Sequence, residues 1–392
     1  MTAAIEVVFW VSLGLILFTH LGYPAVLWVL VALGRGHRSG KPRRRESDFP
    51  GTGEDAADSA ELPRVSVIVA AFDEEKVIGS KVANARALDY PADLVEVLVA
   101  SDGSGDATVR MAEEAGADRV LDLPRAGKTA AQDAAAGQAT GEILVFSDAN
   151  SIWEPDALKR LVEPFTDPRV AYVCGRVSFT GPDGGNLEGA YWSWEMKVRK
   201  LESDFAGVTA GNGAIYAVRK SSYVPLGATG SHDLSFPATF ARSGELSLYR
   251  PEARASEPVV PSLEGELARK RRMMVGLWDI LFGERLADLR GYGIGFGFEM
   301  FSHRLLRYAT PLLHLLLFIA NALLLGAGTF YLVFFSLQLL FVLLALLGRW
   351  VPLLPFRVAR YYLMTTTSIA LGFWDRYRHG APGTWEKAEG TR

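Results

Sequence analysis

Arg64-Val65-Ser66-Val67-Ile68-Val69-Ala70-Ala71 is the stretch on which the fold turns. It is apolar at most positions, rich in β-branched residues and closed by Asp73-Glu74-Glu75, so it predicts a strand buried on both faces. Working outward, Glu74 to Leu88 reads as a helix and Val95 to Ala100 as a second strand. A helix over Asp106 to Ala115, a strand over Arg119 to Leu123, a helix over Thr129 to Ala139 and a strand over Glu142 to Ser147 continue the alternation. Spacing of this kind predicts an α/β domain with a mostly parallel central sheet and helices on both faces. Ligands of such sheets bind beyond the carboxyl ends of the strands.

Polar residues gather at those ends: Asp73, Glu74 and Glu75 after the first strand, Ser101-Asp102-Gly103-Ser104-Gly105-Asp106 after the second, and Ser147-Asp148-Ala149-Asn150 after the fourth. Asp and Ser favour helix N-caps, and capping is the preferred reading for Asp106. Three acid-bearing ends along one sheet edge exceed what capping explains and point to a nucleotide and metal site. A nucleotide diphosphate is strongly anionic and gains charge as its sugar leaves. A divalent cation (Mg²⁺ or Mn²⁺) held by carboxylate oxygens can bridge its phosphates. Lys128, in Arg125-Ala126-Gly127-Lys128, adds a positive group at a helix N-terminus, which itself favours phosphate. The preceding glycines of a Walker loop are missing.

The flanks of this domain are apolar. Val7 to Leu33 exceeds the roughly 20 residues that cross a bilayer. Its start, Met-Thr-Ala-Ala-Ile-Glu, lacks the basic residues of a signal peptide, so residues 1–36 are expected to be an uncleaved anchor. Arg35, Arg38, Lys41, Arg43, Arg44 and Arg45 follow it and orient the chain N-out, C-in, which places the next domain in the cytoplasm at the cell's inner membrane. Residues 37–61 turn from basic to acidic and read as a flexible linker, and 62–290 as the soluble domain. Residues 291–309 form a membrane-proximal amphipathic segment, and 310–375 a membrane region. Within it, Pro311 to Leu347 is a helical hairpin turning near Gly326-Ala327-Gly328. Tyr361 to Trp374 either spans or lies in a protein-lined or interfacial position; 376–392 is a basic tail. The whole chain of 392 residues carries a net charge of −3, so no basic field points to nucleic acid. Cys174 is the one cysteine, which excludes an intramolecular disulfide and fits a reducing compartment.

At this point the residues resemble the inverting family-two glycosyltransferases of the GT-A fold, in particular the membrane-bound synthases of exopolysaccharide and poly-N-acetylglucosamine. The resemblance is carried by Ala70-Ala71-Phe72-Asp73-Glu74-Glu75, Ser101-Asp102-Gly103-Ser104, Gly127-Lys128-Thr129-Ala130-Ala131 and Phe146-Ser147-Asp148-Ala149-Asn150. It continues through Gly211-Asn212-Gly213-Ala214-Ile215-Tyr216-Ala217, Ser231-His232-Asp233-Leu234, Phe301-Ser302-His303-Arg304-Leu305-Leu306-Arg307-Tyr308 and Gly383-Thr384-Trp385-Glu386-Lys387. No single motif is specific; their order and spacing are.

The resemblance implies that Ala71, Asp73, Glu75, Asp102, Lys128, Asp148 and Arg272 bind the nucleotide sugar, and that Asp148 and Asn150 hold a divalent metal. It implies Asp233 as the general base that takes the acceptor's proton, with His232 and Met273 on the acceptor side. Two positions depart from the pattern. Asn150 stands where many members carry a second Asp, so it offers a neutral oxygen to the cation. Met273 stands where processive cellulose- and hyaluronan-type synthases carry a Trp under the acceptor sugar, and Arg269 where they carry Gln; methionine cannot supply that stacking. The cluster Arg269 to Arg272 fits a diphosphate contact and a basic helix face against lipid headgroups equally. The expected function is transfer of a hexosyl or N-acetylhexosaminyl group from a nucleotide diphosphate, a UDP-sugar, to a lipid-linked or growing polysaccharide acceptor. Membrane lipids and a homo-oligomer or separate exporter are the expected partners. Two alternatives stand beside it: a polyprenyl-phosphate monoglycosyltransferase, and a non-catalytic membrane scaffold that binds nucleotide sugar or partner subunits.

Overall fold

The computed structural model describes residues 2–36, 62–180, 187–227, 230–258 and 263–380. The basic cluster after Arg35, the acidic linker, Gly383 to Lys387 and the basic tail beyond residue 380 lie outside the described residues, as do the side chains of Arg269 and Arg272.

In chain order the elements are α1 (Thr2–Leu17), a π-helical turn (Phe18–Gly22), α2 (Tyr23–Ala32), β1 (Val65–Ala71), α3 (Ile78–Arg86), β2 (Val95–Asp102), α4 (Thr108–Glu114), β3 (Arg119–Leu123), α5 (Lys128–Gln138), β4 (Ile143–Asp148), β5 (Ile152–Trp153) and α6 (Ala157–Val162). There follow β6 (Val170–Thr180), α7 (Leu187–Phe205), β7 (Ile215–Arg219), α8 (His232–Arg242), β8 (Leu246–Pro258), α9 (Leu263–Gly283), α10 (Ile294–Glu299), a second π-helical turn (Met300–Leu305), α11 (Leu306–Leu323), α12 (Thr329–Leu347) and α13 (Leu354–His379).

All seven residues of β1 are buried, because strands flank it and helices cover both of its faces. Val65, Val67 and Val69 pack with Ile78, Val82 and Ala85 of α3 and Leu158 and Leu161 of α6. Ile68 packs on the other face with Ala131 and Ala135 of α5 and Phe236 and Phe240 of α8. Each such Val or Ile side chain contributes about 1.5–3 kcal/mol on burial, which fixes the register of the central strand. The sheet runs β3-β2-β1-β4-β7-β6-β8-β5. The first four strands pair in parallel, as the alternation predicts. Beyond them β7 is antiparallel to β4 and β6, β8 is parallel to β6, and β5 is antiparallel to β8. Ala71 lies beside Ser101, and Ala70 beside Asp148, so the polar ends of β1, β2 and β4 share one edge.

Three helices are long and apolar enough to cross a membrane: Thr2–Ala32, Ile294–Leu323 and Thr329–Leu347. The last two form the expected hairpin around Gly326 to Gly328. Within the expected membrane-proximal segment 291–309 the helix begins at Ile294, and α10 and its π turn continue directly into α11, the first hairpin arm. Helix α13 covers the stretch left open between spanning and protein-lined. It packs along α9: Arg271 pairs with Asp375, Arg376 with Asp279, and Trp278 donates to the carbonyl of Ile369 at 3.2 Å. A Cβ on Gly372 would stand 2.4 Å from that of Met274, so glycine permits the close approach. One side of α13 is thus lined by protein, while Phe373 and Trp374 stay exposed.

Candidate active site

The loops after β1 and β2 are stitched together. Asp73 adopts a left-handed conformation (φ 47), which Asp tolerates better than most residues, and its carboxylate accepts from the backbone N–H of Gly105 at 2.8 Å. Its own N–H donates to Ser104 Oγ at 3.0 Å. Glu75 accepts from the N–H of Ala107 at 3.2 Å, and its N–H donates to Asp106 at 3.3 Å. Asp106 also accepts from the N–H of Thr108, the first residue of α4, at 3.0 Å; it stands one position ahead of the N-cap, Ala107.

Asp102 is 1% exposed at the end of β2. Its carboxylate accepts from the N–H groups of Ala126, at 2.7 Å, and Gly127, at 2.9 Å. Gly127, with φ 102, lets the chain turn sharply before α5. Asp102 therefore holds the loop ahead of Lys128 instead of facing open solvent. Ala71 is fully buried beside it.

Lys128 opens α5 and pairs with Asp148 at the end of β4; both side chains are partly exposed. Burial alone would lower the Lys128 pKa, but the carboxylates of Asp148, Asp233 and Glu257 outweigh it and hold the ammonium above its ordinary value. One cation thus sits in the field of both carboxylates to which the sequence pattern points. Asp233 lies in the first turn of α8, where it accepts from the Ser231 hydroxyl. The loop 211–213 bridges the two sides. Gly211 donates its N–H to the backbone carbonyl of Asp233 at 2.7 Å, and a Cβ on Gly213 would stand 3.5 Å from Lys128 Nζ.

His232 departs from its expected place on the acceptor side. It is 3% exposed within a ring of Phe146, Tyr216, Tyr223 and Phe236, and its Nδ1 lies 2.7 Å from the Tyr216 hydroxyl. Its Nε2 faces Tyr223 at 3.3 Å and Asp133 at 3.4 Å, so no ring nitrogen is left for an acceptor. Burial pushes its pKa below the usual value, against the pull of Asp133. Met273 is 51% exposed on α9.

Two residues were missed. Lys81 is 1% exposed on the packed face of α3, donates to the Ser151 carbonyl at 2.8 Å and lies 4.7 Å from the centroid of Trp153, so it braces the turn that carries Asp148 and Asn150. A charge at the helical spacing of Ile78, Val82 and Ala85 was its signal. Asp133, on α5, accepts from the Tyr223 hydroxyl at 2.5 Å and from the N–H groups of Leu226 and Gly227 at 3.0 and 2.8 Å. It pins the chain that leads into α8; nothing in its sequence context marks it.

Asp148 and Asn150 supply oxygens from one turn, both partly exposed. Among the described residues no three of His, Cys, Asp or Glu gather as a ligand set. Two oxygen donors fit a hard cation that draws its remaining ligands from phosphate and water.

The family model described as glycosyl transferase family 2 matches residues 66–223. An N-acetylglucosaminyltransferase of Rhizobium leguminosarum bv. trifolii is 30% identical over 134 residues, which are 32% of this chain and 73% of that protein. The chain belongs to glycosyl transferase family 2. This family-2 chain is also 29% identical to an N-acetylglucosaminyltransferase of Rhizobium meliloti (strain 1021) over 195 residues, 46% of this chain and 45% of that protein. It spans about half the length of the first of the curated relatives it matches. The solved mannosyltransferase PcManGT from Pyrobaculum calidifontis, in complex with GDP-Man and Mn²⁺, superposes with a TM-score of 0.68 at 21% identity, over 95% of this chain and 99% of that one. The shared fold is GT-A-like.

Proposed function

We propose that this family-2 glycosyltransferase moves a sugar, with inversion, from a nucleoside diphosphate to a lipid-linked or growing polysaccharide acceptor at a membrane, residues 62–290 forming the cytoplasmic catalytic domain. A UDP-sugar is the proposed donor, in line with the N-acetylglucosaminyltransferases it resembles. The observation that carries the reading is the Lys128–Asp148 ion pair at the sheet edge, joined to Asp233 by the loop 211–213. The acceptor hydroxyl oxygen attacks the anomeric carbon as the bond from that carbon to the diphosphate oxygen breaks. Asp233 takes the hydroxyl proton, and the nucleoside diphosphate leaves with the electron pair. Lys128 faces the negative charge that grows on the leaving group. A divalent cation on Asp148 and Asn150, when bound, neutralises part of the diphosphate charge. Asp73 and Glu75 order the loops beside the base and ribose. Met273 lies on the acceptor side without the flat surface that a repeated addition uses.

Asp233→Asn in membranes tests this. Transfer is expected to fall on the order of a hundred- to ten-thousand-fold, with nucleotide binding retained. Unchanged transfer by that variant overturns the assignment.

A further inference from the structure

Between the catalytic domain and the apolar helices lies a buried polar junction that the reaction does not use directly. Its centre is Glu202 on α7, which is 0% exposed. Its carboxylate accepts from the Tyr23 hydroxyl of α2 at 2.7 Å and meets His303 Nδ1, from the π turn before α11, at 2.6 Å. The Thr209 hydroxyl donates to the same carboxylate at 3.2 Å and accepts from Arg304 Nε at 2.9 Å. One turn pair back on α7, Glu195 accepts from Arg307 at 2.8 Å and lies 3.5 Å from His303 Nε2. Burial alone would raise both carboxyls, but His303 and Arg304 outweigh it: Glu195 is brought to about 2 and Glu202 below its ordinary value.

The position of this junction matters as much as its bonds. Two of the three long apolar helices pass into it through a π turn, Phe18–Gly22 in one and Met300–Leu305 in the other. Beyond the second turn, α11 has 18 residues, or roughly 27 Å at the usual rise per residue, close to the thickness of a bilayer's hydrocarbon core. Before the first turn, α1 has 16 residues of the same character. Tyr23 and Leu27 pack instead against Val198 and Phe205 of the catalytic domain. Glu202 is therefore gripped where the helices leave the apolar bundle. On its other side Thr209 is two residues from Gly211, the residue bonded to the Asp233 backbone, and four from Gly213, which lies over Lys128.

We propose that Glu202 is a positioning residue: it ties the loop 207–213, and through it Asp233, to two of the three long apolar helices, and so sets the reacting group against an acceptor arriving from the lipid side. The inference rests on the proposed transfer at a membrane and adds the device that aligns the two. It acts through Thr209 and Gly211, not by touching substrate. Losing one hydrogen bond to a buried charge changes an equilibrium on the order of tenfold, so a displaced loop should be readable in kinetics.

The test uses the full chain in lipid nanodiscs, with Glu202→Gln and the milder Tyr23→Phe. Nucleotide binding and acceptor-free nucleotide-sugar hydrolysis are expected to stay within about twofold of wild type. Transfer should lose on the order of tenfold or more in Glu202→Gln, as a higher acceptor KM with the donor KM unchanged, and a smaller amount in the same direction in Tyr23→Phe. Unchanged transfer in Glu202→Gln overturns the proposal. So does a joint fall of donor binding, hydrolysis and thermal midpoint in both variants, which marks a merely structural role. Asp233→Asn separates this from the general-base reading, since it leaves the Glu202 junction intact: normal transfer there sinks the base assignment and Asp233 as the aligned group, while loss in Glu202→Gln still assigns the junction to placing the loop 207–213.

Discussion

The ammonium of Lys128 and the carboxylate of Asp148 form an ion pair across the carboxyl edge of the sheet, one offered by the first residue of α5 and the other by the last residue of β4. On the proposed function a diphosphate and a cation would divide this pair between them, the phosphate taking the lysine and the cation the aspartate. Lys128→Met is therefore expected to weaken nucleotide binding on the order of tenfold or more, even without divalent metal. Calorimetric titration with UDP, in chelator and then in Mn²⁺, checks it; equal affinity for both proteins in chelator contradicts the role.

As the proposed second ligand, Asn150 would give the cation an oxygen without charge. Asn150→Asp is expected to tighten Mn²⁺ binding on the order of tenfold, read by paramagnetic resonance of free Mn²⁺ in the presence of UDP. If the titration curves of the two proteins coincide, Asn150 is not a ligand.

Burial pushes the Lys81 ammonium down to about 7, against Asp148 and Glu257, which hold it up. Between pH 7 and its ordinary value of 10.5 the folded chain binds fewer protons at this residue than the unfolded one, so stability rises with pH through that window and the contribution is flat below it. Lys81→Met should remove this slope and stabilise the protein at pH 6 by roughly 2–4 kcal/mol relative to wild type, less the lost bond to Ser151. Thermal midpoints in detergent at pH 6 and pH 9 measure the difference. A variant whose midpoint tracks wild type at both values would show that Lys81 does not titrate there.

A Cβ on Gly211 would stand 1.8 Å from the Tyr172 hydroxyl and 2.7 Å from its ring carbon Cζ. Gly211→Ala must push the loop off Asp233, so transfer should drop at least tenfold while nucleotide binding persists. Adding Tyr172→Phe removes the nearer clash and is expected to restore part of the loss. A Gly211→Ala enzyme with full activity would mean that the loop does not locate Asp233.

The first half of the sheet was legible in the sequence because its strands are continuous apolar runs, buried on both faces and separated by helices of ordinary length. Strand β1 was placed to within a residue, while β2 and β4 extend far enough to include Asp102 and Asp148. The second half was not. Leu246 to Pro258 mixes apolar, charged and proline residues over 13 positions, and its pairing with β6 joins residues some 75 apart in the chain, which no local pattern encodes. In the site, the acids at strand ends could be found because the fold dictates where to look. His232 could not be placed, because the sequence motif says only that it precedes Asp233, whereas the aromatic ring that encloses it is assembled from β4, β7 and α8. Lys81 and Glu202 look like solvated helix charges until tertiary packing buries them.

Helix α5 has a consequence for the tempo of the reaction. Its first residue pairs with Asp148, its second donates to the Gly230 carbonyl at 2.8 Å, and Asp133, a turn and a half on, fastens the chain that leads to Asp233. A helical segment held at Lys128 and again at Asp133 couples an adjustment at one to the other. Catalysis should then follow a compulsory order, with donor bound before acceptor and nucleotide released last, so that the product nucleoside diphosphate (UDP on the proposed donor) inhibits competitively against the donor and non-competitively against the acceptor.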